Sequence, residues 1–442
     1  MKKTSILETA RAAVAEAQKQ GAQDAAVSAA TVREVKVGWR DGKLEKISEA
    51  TTQGLSIEVY VDGRYAAVST SDLLPETVSK LAAQAIDMAR ALAPDPFRKL
   101  PDPKLYEGRA AIDLDLEDAG HGALSAEQRR AFAQGIEEAA RSVEGSANIV
   151  SVTTDFSDSQ SHLARVTSNG FEGEVRETSF WPSAEVSVRD PDGRRPEDYD
   201  YAGARHLCDL PDMTQIGRNA ALRALGRIGA TKGESGKRTV AIDPRAAGSL
   251  LGRLMGPLSG AALQQKRSMF DGREGQQIGS PLLDVVDDPL IVRGLGSSLF
   301  DGEGMAQKRR TIFEAGALRG FFIDNYYGLK LGRAPTTGRA SNIIFKLGEL
   351  DQAALLRQIG DGLLVTGFLG GNSNGTTGDF SLGIQGYLVK GGARAEPFAE
   401  MNLSGNHLDF WKQLVAVGND PFAYSSTRVP TLVFEGVQVA GT

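Results

Sequence analysis

The strongest constraint on how this chain can fold lies in residues 26–70, where alternating apolar and polar positions run straight into Asp-Gly pairs. Residues 26–39 alternate through Val27, Val35 and Val37 and are followed by Asp41-Gly42. An Asp-Gly pair supplies the two left-handed residues that a tight hairpin requires, so it joins strands that lie side by side. Residues 54–61 and 65–70 repeat the pattern across Asp62-Gly63. The segment reads as an antiparallel meander.

Helical spacing brackets the meander. Residues 4–20 carry Ala, Val and Leu on one face and stop at Gly21; a second helix follows Asp72, takes Pro75 into its first turn and runs to Leu92. A proline-punctuated connection spans residues 94–103. Ser125 and Gln128 then stand at capping-box spacing before a helix that reaches Val143. Strands resume at Ile149, turn at Ser168-Asn169-Gly170, and are followed by a helix over 214–225. This predicts an α+β arrangement with helices covering one face of an antiparallel sheet.

A chain of 442 residues exceeds what one core organises, so two domains are expected. The Gly- and Lys-rich stretch 231–236 sets the boundary: residues 1–232 form an N-terminal α+β domain and 233–442 a β-rich C-terminal domain. Short β segments at 311–314, 363–367, 380–389 and 431–439, separated by glycine turns, dominate the second half. The run 370–379 reads as a tightly turned connection between two of them.

Charge and cysteine usage narrow the function classes. A net charge of −6 argues against nucleic acid, and Lys308-Arg309-Arg310 reads as a solvated face. No apolar run approaches the ~20 residues a membrane span needs. Glu8, Arg11 and Glu16 make the N-terminus an amphipathic helix rather than a signal peptide, and Cys208 has no second cysteine to pair with. A cytoplasmic protein is expected. Residues 233–239 lack the first glycine and the hydroxyl residue of a phosphate loop, and the acidic run 113–117 lacks the closing carboxylate of a calcium loop. The histidines, His121, His162, His206 and His407, include no helical pair at ligand spacing; each reads as a surface or turn residue.

Residues 242–258 carry the functional signal. Asp243 N-caps a helix, Pro244 takes its first turn, and Leu250, Leu251 and Leu254 line one face. Farther along lie Phe300-Asp301-Gly302-Glu303-Gly304, then Thr337-Gly338, Thr377-Gly378-Asp379-Phe380-Ser381-Leu382-Gly383 and Val417-Gly418-Asn419-Asp420. In order and spacing, together with Gly54-Leu55-Ser56-Ile57 and Asp62-Gly63-Arg64, these motifs resemble the TldD/PmbA family of metalloproteases over nearly the whole chain.

The resemblance implies a zinc hydrolase frame from which the chemistry is missing. Catalytic members place His-Glu-x-x-x-His after Leu-Leu. Here the first His position is Gly252, the Glu position is Arg253 and the second His position is Pro257. A third ligand, a cysteine near the C-terminus, would fall in residues 424–429, which contain none. The resemblance therefore implies the TldE (PmbA) branch, with no catalytic residue, metal or cofactor in this chain and zinc held by a TldD-like partner. The expected assembly is a heterodimer that cuts unfolded or extended peptides, this chain alone being inactive. A stand-alone homodimeric peptide-binding protein and a metal-independent hydrolase are the alternatives. Thr377, Gly378, Asp379 and Ser381 are the candidate peptide-channel residues, because a sheet edge can bind extended peptides through its main chain. A subunit interface is expected in the second half, whose apolar clusters Phe321-Phe322-Ile323, Tyr326-Tyr327 and Phe410-Trp411 with Leu414 each suit a core at least as well as an interface.

Overall fold

The computed structural model describes residues 5–441. Strands β1 (Asp24–Arg40), β2 (Lys43–Val61), β3 (Arg64–Thr70), β4 (Ile149–Thr167), β5 (Glu172–Val188) and β6 (Glu197–Tyr201) form one antiparallel sheet in the order β3-β2-β1-β4-β5-β6. Both Asp-Gly pairs adopt positive φ, 48° and 76° at Asp41-Gly42 and 49° and 70° at Asp62-Gly63, which turns the chain back on itself without splaying the strands. β2 begins at Lys43 and not at residue 54, because β1 pairs with it continuously from Arg40↔Lys43 to Asp24↔Tyr60.

Two pairs of helices cover one face of this sheet. Helices α1 (Ile6–Lys19) and α2 (Pro75–Ala91) pack over one half, where Ala10, Ala13 and Ala17 meet Val27, Leu55, Ile57 and Val59. Helices α3 (Ala126–Arg141) and α4 (Met213–Leu225) pack over the other, with Ile136, Ala140, Ile216 and Ala220 against Val152, Ala184 and Val186. The capping box forms: Ser125 Oγ accepts from the Gln128 N–H at 3.2 Å and Gln128 Oε1 from the Ser125 N–H at 2.9 Å. Beneath α3 a fully buried carboxylate, Asp158, receives Arg129 at 2.5 and 2.8 Å and His121 at 2.7 Å. His121 and His206 are thus not the surface or turn residues expected; each is buried on an acceptor, Asp158 for one and the Asp115 carbonyl for the other. Their acceptors lie 37 and 91 residues away, beyond any local pattern.

The second half holds β7 (Gly236–Ile242), helix α5 (Pro244–Met255), β8 (Val285–Asp287), β9 (Arg310–Glu314), β10 (Ala317–Leu318), β11 (Ile343–Phe345), β12 (Gly362–Ser373), β13 (Asp379–Lys390), β14 (Ala393–Asn406), β15 (Leu414–Val417), β16 (Thr427–Arg428) and β17 (Leu432–Ala440). One sheet runs β10-β9-β8-β11-β16 and the other β14-β13-β12-β7-β17-β15. β14 also pairs with β17, through Asn402↔Ala440 and Leu403↔Val439, closing five strands into a barrel. The result is an α+β protein with a β-rich C-terminal half.

Of the two roles open to the apolar clusters of the second half, most of their residues take the core. Phe321, Phe322, Ile323, Phe410, Trp411 and Leu414 are all buried, and Phe434 stacks on Phe410 at 4.2 Å. They are core and not docking surface. Tyr326 instead joins the halves, donating its hydroxyl to Asp95 at 2.8 Å. Beside it, Asn325 Nδ2 donates to the Lys99 carbonyl and the Asn325 backbone N–H donates to the Glu303 carboxyl at 2.7 Å. Among the described residues no helix is long and apolar enough to cross a membrane.

Candidate functional site

Helix α5 follows β7 without a loop. The Asp243 carboxylate accepts from the Arg245 N–H at 3.2 Å, and Pro244 needs no acceptor in the first turn. Ala246, Ala247, Leu250, Leu251, Leu254 and Met255 are buried against Val240, Ile242 and their neighbours. Ser249, Gly252 and Gly256 are exposed on the opposite face, with Arg245, Gly248 and Arg253 half-buried along its margins. A Cβ added at Gly252 would meet no atom within 4 Å, so this position looks into open space. One added at Gly248 would lie 3.9 Å from Thr427, which puts β16 along one flank. Pro257 follows the helix, and its ring lies 3.1 Å from where a Cβ of Gly375 would stand. The β12–β13 turn therefore rests on the end of the helix.

An open strand edge lies beside α5. β12 pairs in parallel with β7 only through Leu363↔Val240, Leu364↔Ala241 and Val365↔Ile242. There β7 gives way to the helix, and the Asp243 N–H donates to the Val365 carbonyl at 2.9 Å. From residue 366 to 373 β12 keeps β13 on one side and, among the described residues, has no strand on the other. Leu369, Gly370, Gly371 and Asn372 are exposed along this stretch, and α5 packs against the strand.

The candidate peptide-channel residues lie beside this edge and not on it. β13 is an interior strand, with Ser381 opposite Asn372 on β12 and Ser404 on β14, so it has no free edge to offer. Thr377 Oγ1 and Asn406 Nδ2 bond Asp379 at 2.7 and 2.9 Å and hold its carboxyl below the usual range. Gly378 has φ +87°, and a Cβ there would stand 2.9 Å from both Asn406 and Met269. Thr377, Gly378 and Asp379 shape the turn that caps the groove, and Ser381 belongs to its supporting sheet. The free edge was readable only in part: Phe368 and Leu369 continue the apolar run past Gly367, but Gly370-Gly371 disguise the strand as a loop.

Both ends of the groove carry charge. At the N-terminal end of α5 lies a cavity of ≈ 500 Å³ lined in part by Asp200, Tyr201, Arg223, Arg245 and Tyr424. Arg245 donates to Asp200 at 3.0 Å and to the Tyr199 carbonyl at 2.9 Å; burial nevertheless pushes the Asp200 carboxyl up. Arg223 donates to the Thr366 carbonyl, the first residue of the open edge. At the other end His407, fully buried and not the surface residue expected, bonds Ser373 Oγ at 2.9 Å. Trp411 Nε1 donates to His407 Nδ1 at 3.4 Å; an indole only donates, so the ring carries its proton on Nε2 and gives it to Ser373. Burial and the neighbouring Arg253 push the imidazole down to about 4. With its proton directed at the serine, this pair is set the wrong way round for a general base.

Nor do these residues fit a zinc ion. Gly252 has no donor, Arg253 is a permanent cation, Pro257 packs its ring on Gly375, and residues 424–429 supply no thiolate, imidazole or carboxylate. Cys208 is exposed beside Arg293 and Asp209, away from the groove. Among the described residues no three or more His, Cys, Asp or Glu are grouped to hold a metal. Protein purified without chelator is expected to carry far less than one zinc per chain by elemental analysis. One tightly held ion per chain would overturn this reading of the groove.

Three domain models of one family match the chain: PmbA/TldA metallopeptidase domain 1 over residues 25–89, its central domain over 121–228 and its C-terminal domain over 235–441. A solved Bacteroides thetaiotaomicron protein, described as a candidate modulator of DNA gyrase, is 37% identical, covers 98% of each chain and superposes with a TM-score of 0.95. The chain belongs to the PmbA/TldD metallopeptidase family. Metalloprotease PmbA of Escherichia coli O157:H7 is 28% identical over 99% of this chain and 96% of its own length. TldE from Thermococcus kodakarensis shares the fold, with a TM-score of 0.85 at 19% identity over 98% of this chain and all of that one. The first two PmbA/TldD models meet in a single sheet here, because β1 pairs with β4 from Ala26↔Thr167 to Arg40↔Thr153.

Proposed function

We propose that this PmbA/TldD member is the TldE-like, non-catalytic subunit of a cytoplasmic heterodimeric zinc protease, and that it holds extended peptides for a TldD-like partner. The observation that supports this most is the free edge of β12 running beside a helix whose exposed positions carry no metal donor. A strand edge binds any extended chain through main-chain hydrogen bonds, which suits unfolded segments of varied sequence. Without donors or a correctly polarised base, this chain contributes binding, and hydrolysis falls to the subunit that carries zinc.

Co-expression with a histidine-bearing relative from the same genome tests the reading. A stable one-to-one complex with chelator-sensitive peptidase activity on a denatured protein is expected, and no such activity from this chain alone. Light scattering that finds an unchanged monomer when the relative is added at micromolar concentration would count against it. A homodimer that binds peptide but ignores the relative would instead favour a stand-alone binding protein.

A further inference from the structure

Arg253 is a cation without a counter-ion. Its Nε is buried with no partner, and no carboxylate among the described residues lies within ion-pair distance of it. A basic residue in the last turn of α5 suits the helix dipole, which accounts for its place but leaves the guanidinium donors unused. Around the helix it lies across the exposed face from Gly248, the residue that borders Thr427. That puts it on the side of His407, whose imidazole it depresses and which bonds Ser373 at the end of the open edge. The neighbouring positions Gly252 and Gly256 leave the space beside it empty. A second half-buried guanidinium, Arg428, stands on β16 against α5; burial pulls it below its ordinary value, and its one bond is to the Ser425 carbonyl.

We infer that Arg253 binds a carboxylate of the peptide held in the groove, an inference that rests on the peptide-holding reading above. A peptide added as a strand to β12 passes between the exposed face of α5 and Ser373, and so comes within reach of the guanidinium. A carboxylate is the peptide group whose two oxygens match the paired donors of arginine, and such charge-assisted bonds are stronger than neutral ones. The carboxylate can be a C-terminus or an acidic side chain.

Fluorescence anisotropy on the full chain separates these sources. Three labelled decapeptides of Val, Thr, Ser and Gln are compared: one with a free C-terminal carboxylate, one amidated, and one amidated with a central Glu. At least one carboxylate-bearing peptide should bind about tenfold more tightly than the neutral amide. Arg253→Gln should bring the three together, Arg253→Lys should keep part of the preference, and circular dichroism should show both variants folded. The peptide that gains affinity identifies the source of the carboxylate. Equal binding of all three by the unmodified chain, or a preference that survives Arg253→Gln, overturns the assignment while leaving peptide binding intact. Absence of binding by any of them removes both.

Discussion

Replacing Asp158 with Ala should lower the stability of the N-terminal sheet by about 3–5 kcal/mol, the usual consequence of stranding a buried charge. Asp158 is fully buried between α3 and the sheet, with Arg129 bonded at 2.5 and 2.8 Å and His121 at 2.7 Å. Burial by itself would raise its carboxyl, but Arg129 and His121 overcome that and hold it below the usual range. Removal leaves Arg129 with only the Leu124 carbonyl in an apolar setting. The depressed pKa gives the native protein a matching acid sensitivity: this stabilisation is present above the ordinary carboxyl range and is lost as pH falls below it. Urea unfolding at neutral pH measures the effect. A loss under about 1 kcal/mol would mean that the ion pair is only surface-like in strength.

The Glu303 carboxyl should produce the opposite pH dependence. It lies in the joint between the two halves, accepting from the Asn325 N–H at 2.7 Å. Burial, the largest influence, acts with the nearby Asp301 and Asp324 carboxylates and pushes it up to about 7. The folded state therefore holds a proton that the unfolded chain releases near 4.5, so stability falls as pH rises between those values and the loss is complete above 7. Glu303→Gln removes the ionisation while keeping an acceptor for the Asn325 N–H. The variant should be more stable than the parent by about 3 kcal/mol at pH 8 and by less than about 1 kcal/mol at pH 5. An identical difference at both pH values would show that Glu303 does not titrate in this window.

These two sites also mark where the sequence stops being legible. Hairpins such as Asp41-Gly42, the Ser125 capping box and the Asp243 cap were readable because each is settled within a few residues. Gly252, Arg253 and Pro257 stood out only through the family resemblance, which supplies the His-Glu-x-x-x-His frame they are compared with. The burial of His121 and His407 was not readable, since it depends on Asp158 and on Ser373, 37 and 34 residues away. Phe410 and Trp411 suited a core or a surface in sequence, and their burial against Phe434 depends on a strand more than twenty residues away. The free edge was misplaced onto β13 because strand order, which decides which edges are used up, is a non-local property.

Strand order also governs how this protein comes into being. Every strand of the first sheet has been synthesised by Tyr201, so that half can fold while the rest is still on the ribosome. β7 follows at once, but the strands on its two sides begin only at Gly362 and Leu432. Pairings so distant along the chain form slowly, because a long loop must close before any contact rewards it. Until then Val240 and Ile242, fully buried in the finished protein, have only helix α5 to cover them. The interval between the emergence of β7 and that of β17 is when a nascent chain of this kind is most exposed to misassembly.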